Sequence, residues 1–441
     1  MKRILMAIAA FAAVITASAE GYQINTLSAK QLGMGHAGVA LKLGAESMIF
    51  NPGALGFSDK TFDLTGSITG IKAIAMAEYQ GNDYSTENGW STPLAFNAAF
   101  RIYDNLQAGI SFYTPYGSGI NWTQNWPGAL LSQKVSLKMF TVQPTVAWRP
   151  IKNLSIGAGM MITWGNVNLD KGLVPGSTFD MVAGAPVLGD VVAASVNLTG
   201  TSQVALGANV GVLYDITSRW SVGASFRTKM TMKVKAGEAS VSYANEVVKA
   251  ALEPSLGNIH KANFAAEMPA PYVFNMGVAY RPTDRWTVAA DAQLTGWSAY
   301  KTLNIDFPAP LDAFDQNITK DYKNSWAVKM GAQYAVTERF DVRAGLMVDT
   351  SPVNSDYYNP ETPGMTKLSP TVGFSFRPTR GLSVDLAFMY VAGLGVDNAK
   401  CTYKDLVLQS AGMPESVYTR TFEANYRVHA FNPSIGISYS F

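Results

Sequence analysis

The sequence predicts an all-β protein: a transmembrane antiparallel β-barrel of about fourteen strands with an N-terminal segment acting as a lumenal plug. Three observations lead there. They are an export signal, apolar side chains that alternate at period two, and short turns that alternate with long connections. Lys2 and Arg3 precede an apolar run from Ile4 to Ile15, which ends in Ala17-Ser18-Ala19. A basic start, a short apolar stretch and a small-x-small site define a secretory signal peptide over residues 1–19, cut before Glu20. No Cys follows the site, so no lipid anchor is expected.

Composition supports a membrane protein without membrane helices. Only 15% of the residues are charged and 11% are aromatic, yet no later stretch offers the roughly 18 apolar residues that a spanning helix needs. In lipid every backbone N–H and C=O must be satisfied within the protein, which leaves a closed barrel. With Lys2 and Arg3 set aside, basic and acidic residues are equal in number. That balance carries no nucleic-acid footprint. Cys401 is the single cysteine and excludes an internal disulfide framework; it reads as an incidental loop residue.

Alternation defines the strands. From Trp220 the even positions read Trp220, Val222, Ala224, Phe226, Met230, Met232 and Val234, while the odd positions carry Ser221, Ser225, Arg227, Lys229, Lys233 and Lys235. Phe340 to Val348 and Leu382 to Tyr390 repeat the pattern against Asp341, Arg343, Asp349, Ser383 and Asp385. The apolar face is expected toward lipid and the polar face toward the lumen. A soluble sandwich would alternate too, but long strands with aromatic ends fit it less well.

The connections set the topology. Short turns fall at 103–105, 149–153, 217–219, 282–285, 337–339 and 378–381, and long connections near 79–90, 114–133, 170–200, 236–269, 301–321, 351–366 and 393–420. Such strict alternation matches short periplasmic turns and long external loops. In the last strand Phe431, Ile435, Ile437, Tyr439 and Phe441 alternate with Asn432, Ser434, Gly436, Ser438 and Ser440. This aromatic ending resembles the signal read by the outer-membrane insertion machinery.

Residues 20–60 do not alternate. They are rich in Gly, Ala and small polar residues and lead to Asn51-Pro52-Gly53-Ala54. The segment starts on the periplasmic side and either dangles as a linker or folds up into the lumen; its apolar content favours a plug. Residues 61–441 are then the barrel.

Tyr22, Gln23 and Ile24, the glycine-rich stretch and Asn51-Pro52-Gly53-Ala54 resemble the start of the FadL/TodX family of outer-membrane transporters of long-chain fatty acids and hydrophobic compounds. Family members carry an N-terminal hatch with an Asn-Pro-Ala motif, and here Gly53 intervenes before the alanine. The resemblance continues in Met268-Pro269, in Asp291 to Ser298, in Tyr322 to Trp326, in Arg343 to Leu346 and in Asp349 to Pro352. It implies uptake of long-chain fatty acid or another hydrophobic small molecule, with aromatic hydrocarbons as an alternative, and no cofactor, metal or catalysis. It also implies lateral release into the outer-membrane lipid through a kink in the third strand. Here that strand runs about 105–113 and gives way to Pro115 and Gly117, which places an opening near Gly109, Pro115 and Gly117 or simply starts a loop.

Two long loops suit capture. Phe179, Met181, Val182, Val187, Leu188 and Val191 make 170–200 unusually apolar, and Tyr243, Val247, Ala251 and Leu252 share a helical face. They form an external groove, or two helices bury these faces against each other. Lys323, Lys329, Arg343, Arg227 and Lys229 face inward by parity. Lys323 is the expected lumenal base, because the family has a lysine in the matching stretch. No base stands near Asn166 and Asn168, where another is expected from the family. An enzyme is disfavoured, since no motif surrounds His36, His260 or His429. A general porin or adhesion barrel would lack the N-terminal plug.

Overall fold

The computed structural model describes residues 21–405, 408, 409 and 412–441, so the signal peptide expected over residues 1–19 lies outside the described residues. Period-two alternation produces a closed ring of fourteen strands. They are β1 (Phe62–Thr69), β2 (Leu94–Tyr103), β3 (Leu106–Asn121), β4 (Lys134–Ile151), β5 (Leu154–Val174), β6 (Ala205–Asp215), β7 (Trp220–Arg227), β8 (Val273–Thr283), β9 (Trp286–Thr295), β10 (Ser325–Thr337), β11 (Phe340–Asp349), β12 (Lys367–Thr379), β13 (Leu382–Gly393) and β14 (Thr419–Ser440). Each pairs antiparallel with its neighbours, and β1 pairs with both β2 and β14, so the ring has no open edge. All six short turns fall where the sequence places them, and both ends of the barrel lie on the turn side.

Side-chain burial follows the pleat. Phe96, Ile110, Val146, Ile156, Leu386 and Ile435 are exposed on the outer face, whereas Thr65, Asn97, Gln143, Asn209, Ser375 and Asp385 are buried inside. Near the turns the outer face carries Tyr103, Trp148, Tyr214, Trp220, Trp286, Phe376 and Tyr439. Toward the loops it carries Phe226, Trp326, Phe388 and Phe431. Two aromatic girdles of this kind bracket a membrane band.

One strand differs from expectation. The run 220–235 breaks after Arg227, and a separate strand, Met230–Tyr243, leaves the ring to pair with Ala194–Thr201 and Asn263–Ala270. Across the break the apolar stripe changes sides. Trp220 and Phe226 stay exposed on the outside, while Met230, Met232 and Val234 are buried in the main apolar cluster of the loop half. Residues beyond the roughly 9–11 needed to cross the bilayer stand outside it. There β5 continues along Ala194–Thr201, and the sheet extends through Thr302–Asp306 and Gln316–Thr319.

Residues 21–58 lie inside the ring. The segment begins in the loop half rather than at the periplasmic mouth. Tyr22 packs edge-on against Trp297 at a ring separation of 4.7 Å and is also flanked by Tyr116 and Tyr300. It then descends through helix α1 (Ala29–Gly33), capped by Ser28, to α2 (Ser47–Phe50) and α3 (Pro52–Leu55) near the turns.

Cross-strand glycine pairs on the inner wall make room for its backbone. Gly157 faces Gly211, Gly223 faces Gly277 and Gly331 faces Gly345. A Cβ on Gly345 would come within 2.2 Å of the Gly35 nitrogen, and one on Gly331 within 2.2 Å of the Met34 oxygen. Gly35 itself has φ +64° and sits against the backbone of Met330 and Leu346, so only glycine fits there.

We predict that Gly345→Val costs about 1–3 kcal/mol by overpacking. By lifting residues 34–36 off the wall it should also raise ionic conductance in planar bilayers. Wild-type conductance in the variant would show that the seat is loose.

Candidate functional site

The interior site is built on polar wall residues that satisfy the backbone of residues 21–58. Gly38 and Val39 donate their N–H groups to one oxygen of Asp291, at 2.6 and 3.0 Å. Ala45 N–H donates to Asp63 at 2.7 Å. Asn209 donates to the carbonyls of Met48 and Ile49, Gln143 to that of Met48, and Arg227 to that of Ile49. Without these partners the buried backbone groups would each lose roughly the desolvation cost of an unmade hydrogen bond, about 1–3 kcal/mol.

Asn51 shows why the Asn-Pro motif stands where it does. Its side-chain oxygen accepts the Gly53 N–H at 3.0 Å and so caps α3, while Pro52 occupies the first helical position. Its amide nitrogen donates to Val39 O at 2.7 Å and Val212 O at 2.9 Å, tying two parts of the plug and β6 together. Gly53 has a steric reason. A Cβ there would approach Gly211 O to 2.7 Å, because α3 lies on the paired Gly157 and Gly211. Ala54, next along, is buried in a small apolar cluster with Leu213.

At the other end of the segment, Tyr22 to Ile24 run antiparallel to β3. Ile24 N–H donates to Pro115 O at 2.9 Å and Gly117 N–H to Tyr22 O at 2.9 Å, with Gln23 bridged to Tyr116. This is where the wall is interrupted. The β2–β3 ladder ends at Ala95 and Tyr113, and the β3–β4 register shifts between Tyr113 and Tyr116. Beyond that bulge β3 continues to Asn121 as a strand, so the stretch is not the start of a loop: Pro115 lies in the bulge, whereas Gly117 is paired with Lys138 of β4 and bonded to Tyr22 in place of β2. Gly109 is not part of the break. It is fully paired to Ala99 and Thr145 and packs on Met48.

A cavity of about 520 Å³ lies at this interruption. Its lining includes interior side chains, among them His36, Met389 and Asn432, and also Trp90, Gly119 and Phe140 from the outer side. Trp90 is exposed, and Phe140 stacks on Phe112 along the membrane face. Above it a smaller apolar cavity of about 80 Å³ is walled by Leu169, Met232, Val234, Met268, Tyr300 and Leu303. Both cavities touch Ser118, Leu137, Met139 and Thr362, so they adjoin. The sequence concealed the smaller one because Met232 and Val234 read as a continuation of the lipid-facing stripe.

Other expected residues fall elsewhere. Lys323 is exposed in the connection before β10, so it is not a lumenal base; its backbone N–H holds Pro352 O. Lys229 is exposed as well. Lys329 and Arg343 are buried inside, the first donating to Gln293 at 2.6 Å and the second lying 3.7 Å from both Asp341 and Asp385. In the loop half Lys320 is fully buried and ion-paired with Glu361.

Helix α4 (Gly176–Ala183) carries the first apolar loop. Phe179 is buried and Leu188 half-buried against the main cluster, whereas Met181, Val187 and Val191 are exposed. The side chain of Val182 lies outside the described residues. Burial alone would raise the Asp180 carboxyl, but the N–H groups of Gly189, Val187 and Leu188 hold it below its ordinary value and pin the return of the loop. In helix α5 (Glu246–Leu256) the buried stripe is Val248, Leu252 and Leu256, which leaves Val247 and Ala251 exposed. Of the expected face, Tyr243 and Leu252 pack against the main cluster and Val247 and Ala251 do not. Cys401 is not an open loop residue: it sits in the strand Val396–Lys404, and burial pushes its thiol up to about 11.

The model of a family described as outer membrane protein transport protein (OMPP1/FadL/TodX) matches residues 9–441. Outer membrane protein P1 of Haemophilus influenzae is 23% identical over 99% of this chain and 98% of its own. The long-chain fatty acid transport protein of Escherichia coli is 20% identical over 85% of this chain and 88% of its own. Among solved structures, a Pseudomonas aeruginosa FadL homologue superposes with a TM-score of 0.79 at 19% identity, covering 96% of this chain and all of that one. The Ralstonia pickettii toluene transporter TbuX gives 0.66 at 17% identity over 95% and 99%. On the match to nearly its whole length, this chain belongs to the OMPP1/FadL/TodX family of outer-membrane transport proteins.

Proposed function

We propose that this chain takes up long-chain fatty acids or other hydrophobic small molecules, by capture at apolar external loops, descent to the plug, and lateral release through the wall at Pro115 to Gly119. The observation that carries this reading is the pair of adjoining cavities, which begins in an apolar cluster and ends where the β2–β3 ladder stops. Burying each CH₂ of a ligand is worth about 0.8 kcal/mol, so an acyl or aromatic hydrocarbon follows such a lining in preference to a water-filled pore. A general porin or adhesion barrel fits less well, because residues 21–58 fill the lumen.

A Cβ built on Gly119 stands 3.2 Å from Ser91 Oγ across the opening, and little else is near it. We therefore expect the double variant Ser91→Cys/Gly119→Cys to form a disulfide that closes the gap. Uptake of labelled oleate or toluene by cells should fall at least about 10-fold and recover on reduction. Undiminished uptake by the cross-linked protein would remove the lateral route.

Capture is assigned to the exposed apolar surface of the 170–200 loop. Changing Met181 and Val187 together to Asn should weaken uptake at low ligand concentration by roughly 10-fold, the equivalent of about 1.4 kcal/mol. Thermal stability should hardly change, because both side chains are exposed. Unaltered uptake would sink the groove.

The same reading assigns the aromatic face of β14, with Ile437 and Tyr439 exposed, to recognition by the insertion machinery and to contact with outer-membrane lipid. Deleting Phe441 should lower the amount of heat-modifiable barrel recovered from the outer membrane; normal assembly would contradict that role.

A further inference from the structure

We propose that this transporter selects uncharged hydrophobic molecules over carboxylate-bearing ones, and that Glu361 is the residue responsible. The inference rests on the uptake reading above and narrows its substrate class. Glu361 is 5% exposed and lines the apolar cavity. Its carboxylate is paired with the ammonium of Lys320, which is itself fully buried beneath the ring of Tyr300, 6.0 Å away. The protein therefore supplies from its own chain the carboxylate that a fatty-acid head group would have to bring.

An incoming carboxylate would meet Glu361 in a lining whose other acidic residue, Glu267, is exposed and already paired with Lys233, and whose remaining polar members, Ser118, Asn166, Ser202 and Thr362, carry no charge. It could reach Lys320 only by displacing Glu361, which would leave that carboxylate buried without its partner. Both alternatives are expensive in a low-dielectric site. An alkane or arene leaves the pair undisturbed.

The neighbouring charges do not offset this. Lys171, which donates to Gln316 at 3.3 Å, attracts Glu361 as well and so helps to hold it in place, but it borders neither cavity. Lys138 and Lys367 border the larger cavity only, and Lys233 is exposed and paired to Glu267 at 2.6 Å. At 166 and 168, on the strand flanking the apolar cavity, the chain carries asparagine.

The test compares dodecane with dodecanoate on the detergent-solubilised full barrel, by displacement of a fluorescent hydrocarbon probe. Wild-type protein should bind dodecane at least about 10-fold more tightly than dodecanoate. In Glu361→Gln, where Lys320 is released, the ratio of dodecanoate to dodecane affinity should rise by about 10-fold or more. Should that variant not fold, Glu361→Ala purified in the presence of dodecanoate likewise leaves Lys320 without its carboxylate and should raise the same ratio; an unchanged ratio there also overturns the selectivity. A wild-type preference for dodecanoate, or an unchanged ratio in folded Glu361→Gln, overturns the selectivity while leaving hydrophobic uptake intact. Failure of wild-type protein to bind either molecule overturns both.

Discussion

A chain segment enclosed in a β-barrel must find a hydrogen-bond partner for every buried backbone group, and the rest of this structure depends on how that is achieved. Over most of its height the barrel wall has no ladder capacity to spare, because neighbouring strands pair on both sides; the stretch of β3 beyond Tyr113 is an exception. Inward-pointing side chains take over instead. Asp291, Asp63, Asn209, Gln143 and Arg227 each bond the backbone of the interior segment. Opposite residues 33–35, 39 and 52–53 the wall presents Gly373, Gly331, Gly345, Gly223, Gly277, Gly157 and Gly211, so short polar contacts and backbone contact coexist. Asn51 does both jobs, capping its own helix and reaching β6.

This arrangement limits where a ligand can go. Past His36 the interior is occupied by the segment itself, with polar wall groups bonded to its backbone and small apolar clusters packed on its side chains, and an alkyl chain would have to displace both. The exception is the region above the plug. There the wall loses a ladder at Tyr113, and Tyr22 to Ile24 pair with the inner edge of the bulged strand instead. One backbone thus lies in the interior and borders the gap. The apolar chamber above follows from the break after Arg227, which turns Met230, Met232 and Val234 from the lipid side to the inside.

Much of this was legible in the sequence. Period-two alternation, turn spacing and the non-alternating residues 20–60 defined the barrel, its fourteen strands and its unusual start, because the two faces of a strand face solvents of opposite character. The site was harder to read. A two-residue break between Arg227 and Met230 reverses which face is inside, and no composition signal marks it. Lys320 and Glu361 are 41 positions apart and meet only through the fold of the external loops. Lys323 looked the better candidate because its neighbours resemble the family, yet parity within a loop carries no information about direction. Gly53 was visible as a departure, but its cause, the paired Gly157 and Gly211 beneath it, is a tertiary contact.

The central claim is that hydrophobic ligands turn sideways above the plug and do not pass through it. Anomalous diffraction from crystals soaked in a bromoalkane tests this most directly. The account predicts bromine in the apolar chamber and in the cavity bounded by Tyr116, Gly119 and Trp90, with none on the turn side of Asn51. Bromine threaded between Asn51 and the barrel mouth, with residues 21–58 displaced, would contradict it.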